Sequence, residues 1–175
     1  MSWLHRCSVL CLLLVLLTFG VSCTSSTLTE PTIEPHVEQP QLANSQGSSV
    51  QLIKCSPRPY ATATEIIGRK GGVIAVGAHK LTIPENALSR KVAITAEEIP
   101  GSTVSVRFSP EGLQFKQPVK LMIKYDGCEP VSPEKKVVYT DENLGILQVL
   151  FSSDVSTQRL VVTYIDHFSR YAVAF

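Results

Sequence analysis

Long runs of lysine and arginine interleaved with aromatic residues are missing from this 175-residue sequence, and its 16 basic residues are nearly matched by 15 acidic ones. A chain without a basic face offers no footprint for a phosphate backbone, so nucleic acid is not an expected partner. Lys116, Lys120 and Lys124 do recur at a spacing of four, but Pro118 and the alternation around them place them on the wet face of a strand. Metal-ligand spacing is missing too. Cys55 and Cys128 stand alone, without a neighbouring Cys or His at ligand spacing, and His79 has no visible companion for metal or catalysis, so neither a metal nor another cofactor is expected. Helix signals are confined to one turn at Pro84 to Leu88, with the proline at a first-turn position. No repeat of fixed period occurs, and no apolar stretch reaches the about 20 residues that a membrane-spanning helix needs.

The longest apolar run, Val9 to Leu17, follows a start that carries Arg6 and no acid and precedes Thr18-Phe19-Gly20-Val21-Ser22-Cys23. This is the form of a secretory signal peptide over 1–22, and the protein is expected to be exported. Gly20, Val21 and Ser22 before Cys23 resemble the bacterial lipobox, whose cysteine is acylated with diacylglycerol and becomes the new N-terminus. Gly20 departs from the leucine usual three residues before that cysteine. Cleavage after Ser22 without lipidation, leaving a secreted protein, is the alternative. Acyl chains contribute about 0.8 kcal/mol per buried methylene, so two or three would hold the protein on a bilayer as an envelope lipoprotein.

From Cys23 onward the balance is 15 basic to 15 acidic, because Arg6 is the only basic residue lost. Residues 23–50 turn to Ser, Thr, Pro, Gln and Glu, with Glu30, Glu34 and Glu38 and no Lys or Arg. Too little apolar surface is present to offset the entropy of ordering, which predicts a disordered stalk stiffened locally by Pro31, Pro35 and Pro40. Cys7 and Cys11 leave with the signal, and Cys55 and Cys128 remain. They form either a disulfide, contributing roughly 4 kcal/mol on the loop-entropy account, or two free buried thiols.

Residues 51–175 are written in strand language. Expected strands are Val73 to Val76, Lys80 to Ile83, Val92 to Glu98, Thr103 to Ser109, Val119 to Tyr125, Lys136 to Thr140, Ile146 to Phe151, Arg159 to Asp166 and Phe168 to Phe175. Gly71-Gly72, Pro100-Gly101, Pro110-Glu111-Gly112, Asp126-Gly127 and Asn143-Leu144-Gly145 punctuate them. Many short strands at this spacing predict an all-β fold, an antiparallel β-sandwich with one core. In the last strand, strict alternation puts His167, Ser169, Tyr171, Val173 and Phe175 on one buried face. There the imidazole and hydroxyl would find partners in each other and in nearby backbone.

The order of Gly71-Gly72, then Leu81-Thr82-Ile83-Pro84-Glu85-Asn86-Ala87-Leu88, then Phe108-Ser109-Pro110-Glu111-Gly112-Leu113-Gln114-Phe115-Lys116-Gln117-Pro118-Val119-Lys120-Leu121 resembles the ZU-five domain. The similarity runs from about Ile66 to the C-terminus. Asn86 stands where that family often has glycine, Phe115 can plug the sandwich, and Pro118 would begin an edge-facing strand. Asp166-His167-Phe168-Ser169 matches the His-Phe-Ser step at which some family members cut themselves. By that resemblance His167 is the general base and Ser169 the nucleophile on the Phe168 carbonyl, giving an ester by N-to-O acyl shift that water then hydrolyses. A base contributes about 10² to 10⁴, and about 3 kcal/mol of backbone strain roughly a hundredfold more. Cleavage would release only Ser169 to Phe175, which favours a structural fastener over a scissor. The expected function is therefore a non-enzymatic, envelope-tethered interaction or structural module binding a protein or glycan, with self-processing at Phe168-Ser169 as the alternative.

Overall fold

The computed structural model describes residues 49–175, so the expected signal peptide, Cys23 and all but the end of the expected stalk lie outside the described residues. Eleven strands follow in order: β1 (Ala61–Ile67), β2 (Gly72–Val76), β3 (His79–Ile83), β4 (Val92–Glu98), β5 (Ser105–Ser109) and β6 (Gln114–Lys124), then β7 (Lys136–Thr140), β8 (Ile146–Val149), β9 (Ser152–Val155), β10 (Leu160–His167) and β11 (Arg170–Ala174). They form a six-stranded sheet in the order β1-β4-β5-β11-β7-β8 and a five-stranded sheet in the order β2-β3-β6-β10-β9. Every pairing is antiparallel, as short connections between neighbouring strands allow. The result is an all-β sandwich. Among the described residues no helix is long and apolar enough to cross a membrane.

Alternation sets the inner faces. In β6 the residues Val119, Leu121 and Ile123 are buried while Lys120, Met122 and Lys124 face outward, and in β4 Ile94 and Ala96 point in. A single large core results, joined by Ile74, Leu81, Val106, Phe108, Val161, Ile165, Phe168, Tyr171 and Val173. A second, smaller cluster lies on the far side of β11, where Ala172 and Ala174 pack with Val138, Leu52 and Ile146. β11 is thus apolar on both faces because both are covered.

The N-terminal strap enters beside the last residue. Gln51 and Phe175 exchange backbone hydrogen bonds of 3.0 and 2.9 Å, the Ile53 N–H donates to Val173, and Cys55 is joined to Cys128 by a disulfide across an antiparallel bridge. Turn chemistry follows sterics. Gly71 has φ 70° beside Ile83, and a Cβ there would run into the Ile83 carbonyl oxygen. Asn86 sits at φ 65°, the left-handed region that glycine or asparagine takes most readily, and its N–H donates to the Arg69 carbonyl. The expected helical turn at Pro84 to Leu88 is this hydrogen-bonded turn, closed by the Ala87 N–H on the Pro84 carbonyl.

Several strand limits differ from expectation. β1 was not expected because Ala61-Thr62-Ala63-Thr64-Glu65 lacks large apolar residues, which an edge strand paired only to β4 can do without. The single strand expected over Ile146 to Phe151 breaks at Leu150-Phe151, where the chain crosses from the six-stranded to the five-stranded sheet and continues as β9. Pro118 does not begin an edge-facing strand. It lies within β6, the middle strand of its sheet, where the register with β10 jumps between Ile165↔Val119 and His167↔Gln114. Inside that irregularity a residue without an N–H breaks no ladder.

Candidate functional site

The same kind of crossing reshapes the segment around His167. β10 ends at His167 in the five-stranded sheet and β11 begins at Arg170 in the six-stranded one, so Phe168 and Ser169 form the passage between layers. Uninterrupted alternation therefore fails here, and the expectation that His167 and Ser169 share a buried face and bond each other is corrected. The His167 side chain is 33% exposed, and its Nδ1 lies 2.7 Å from Asp166 Oδ1. Ser169 is buried behind Phe168, and among the described residues no hydrogen bond joins it to the imidazole.

Phe168 is what the passage buries. Its ring is fully enclosed, stacked on Phe108 at 5.2 Å and meeting Phe115 edge-on at 5.0 Å. The backbone is pinned on both sides. Phe168 N–H donates to the Leu113 carbonyl (2.8 Å), Gly112 N–H donates to the Phe168 carbonyl (3.0 Å), and Phe108 N–H donates to the Ser169 carbonyl (3.1 Å). Tyr171 completes the lock by donating its hydroxyl to the His167 carbonyl at 2.7 Å, and burial pushes that phenol's pKa up. Tyr139 meets the His167 ring edge-on at 5.2 Å.

Strict alternation would point Asp166 and its neighbour His167 to opposite faces of the strand. At the strand's end the two side chains nevertheless converge. The hydrogen bond to His167 holds the Asp166 carboxyl below its ordinary pKa, against a smaller upward push from burial. The pair stands on the rim of a groove of about 320 Å³ lined by Gln148, Leu150, Tyr164 and Tyr171 as well. A second depression, lined by Gln114 and Phe115, flanks the same two residues.

His79 has structural neighbours. It is 1% exposed, its Nδ1 accepts the Lys124 N–H at 3.2 Å, and its Nε2 lies 3.2 Å from Glu98 Oε1, too poorly aligned for a hydrogen bond. Glu98 Oε1 in turn accepts Arg58 Nε–H at 2.7 Å. Burial lowers the His79 pKa, and the Glu98 charge opposes that shift only in part. Strand parity could have found Glu98, because it follows Ile94 and Ala96 at steps of two onto the inward face. With a guanidinium already on the carboxylate, the cluster is a structural ion pair. Among the described residues no group of three His, Cys, Asp or Glu is placed to hold a metal.

A second charge cluster gathers around Tyr125, next in the chain to Lys124. Tyr125 hydroxyl donates to Asp154 Oδ1 at 2.7 Å, the Lys135 N–H donates to Asp154 Oδ2 at 3.0 Å, and the Arg159 guanidinium lies 5.3 Å from the Tyr125 ring centre. Burial first, then Asp154, pushes the Tyr125 pKa up to about 12. No signal in the sequence pairs these residues, since Asp154 lies on a strand that reads as a turn. No protein-family model matches the chain, and no curated protein matches it either.

Proposed function

We propose that this protein is a non-enzymatic, membrane-tethered interaction or structural module of the cell envelope, a ZU-five-like domain exported and anchored by lipid on Cys23. The observation that carries this reading is the strap. The segment leading from the expected tether is sewn to the body by the Gln51–Phe175 pair and the Cys55–Cys128 disulfide, a bond suited to an oxidising compartment. Metabolic labelling with a fatty acid in the native cells tests the anchor. Label lost in Cys23→Ser is the expected result, and an unlabelled protein free in the medium refutes it.

One observation favours self-cleavage of the Phe168-Ser169 bond by N-to-O acyl shift as a second reading. Gly112 N–H already donates to the Phe168 carbonyl, as an oxyanion donor would. In that reading Ser169 attacks and His167, once released from Asp166, serves as base. Intact mass decides it. Loss of the last seven residues, abolished by Ser169→Ala, establishes the scissor, and an unchanged mass leaves the fastener.

A further inference from the structure

We propose that the groove beside Asp166 and His167 binds a neutral saccharide, with Tyr164 as its stacking platform. The proposal rests on the interaction-module reading above and names the ligand class. The groove exists because β9 pairs with β10 only as far as Ser152 opposite Thr163, while the chain between β8 and β9 swings away to the other sheet. Its volume of about 320 Å³ falls at the lower end of small-ligand clefts, roughly 300–1,000 Å³.

The lining is mixed in a way that suits a sugar ring. A pyranose has an apolar C–H face and a perimeter of hydroxyls that donate and accept. Tyr164 is 62% exposed, a large share for an aromatic residue on a sheet, and its ring can cover the apolar face. Asp166 has an 81% exposed side chain and is held ionised by His167, so it accepts from hydroxyls with charge assistance. Gln148, on the opposite bank, is exposed, and its amide makes no hydrogen bond among the described residues, so it can both donate and accept. Leu150 supplies an apolar wall and Tyr171 a rigid one, its hydroxyl already committed to the His167 carbonyl. The same carboxylate disfavours uronates and other acidic sugars.

The test is a titration of the purified, isotope-labelled protein with chitotriose and cellotriose, followed by amide and side-chain NMR. Saturable shifts centred on Gln148, Tyr164, Asp166 and His167 are expected with at least one of the two. Tyr164→Ala should weaken binding about fivefold, the size of an aromatic contact, and Asp166→Asn about tenfold. A digalacturonate probe should bind a few-fold more weakly than the neutral sugars, up to about fivefold. Both substituted side chains are exposed, so the variants keep the fold, which the unshifted core amides verify. Absence of saturable shifts up to about 20 mM sugar overturns the proposal. So do shifts that map away from the groove, or a basic peptide that fills it while the sugars do not. None of these outcomes touches fatty-acid labelling at Cys23, so failure of the groove is distinguishable from failure of the tether.

Discussion

Replacing Phe168 by alanine should unfold much of this domain's stability margin while leaving the neighbouring hydroxyl almost irrelevant. Phe168 is fully enclosed, and its contacts with Phe108 and Phe115 lie in the core where the chain passes from one sheet to the other. Truncating a buried phenylalanine costs about 3–5 kcal/mol, because the transfer term is joined by a cavity that a pinned backbone cannot collapse. Here the backbone is pinned by Leu113, Gly112 and Phe108. Against a total of about 5–15 kcal/mol, that is at least about a fifth of the margin. Urea unfolding followed by far-ultraviolet circular dichroism would show the midpoint falling by about 1–5 M, taking a slope of about 1–3 kcal/mol/M. Ser169→Ala, measured alongside, should move it by less than about 1 kcal/mol, since no side-chain partner among the described residues is lost. A loss below about 1 kcal/mol for Phe168→Ala, or a larger one for Ser169→Ala, would refute the fastener argument.

The buried His79 makes stability depend on pH with a definite sign. Its folded pKa lies below the unfolded value of about 6.5, so the unfolded chain binds the extra proton, and stability is full above about 6.5 and falls as pH drops below it. His79→Gln, which can still accept the Lys124 N–H, should flatten the urea midpoint between about pH 7.5 and 5 relative to wild type; a slope that survives assigns the effect elsewhere. Cys55→Ser with Cys128→Ser opens a loop of 73 residues and should cost up to about 4 kcal/mol by unfolding in non-reducing buffer. A change under about 1 kcal/mol would mean the strap is held by its hydrogen bonds alone. Glu98→Ala leaves His79 and Arg58 facing an empty site and should cost about 3 kcal/mol, whereas a neutral result would show that water replaces the carboxylate.

The all-β architecture was legible because burial on one face leaves alternation along each strand, as in Val119, Leu121 and Ile123 against Lys120, Met122 and Lys124. The two places where the chain changes sheets were not. At Leu150-Phe151 and at Phe168-Ser169 a large apolar residue continues the strand pattern, and no glycine or proline marks the break. His167 was therefore assigned to a buried face that the crossing removes, and the same alternation points Asp166 away from it, whereas the two side chains bond at the strand's end. Cys55 and Cys128 were legible as a candidate pair, though residue types alone left free thiols open. β9 stayed hidden because Ser152-Ser153-Asp154 resembles turn chemistry, although Asp154 there accepts the Tyr125 hydroxyl and the Lys135 amide.

The disulfide also divides the domain mechanically. Tension applied at Gln51 first meets the bonds to Phe175 and Val173, then a covalent link at Cys55 that passes it straight to Cys128. Everything from β1 through β6 lies inside the loop so closed and is shunted off the line of force. A molecule pulled from that end can yield only through β7 to β11, however hard the pull, until the sulfur bridge itself is cut.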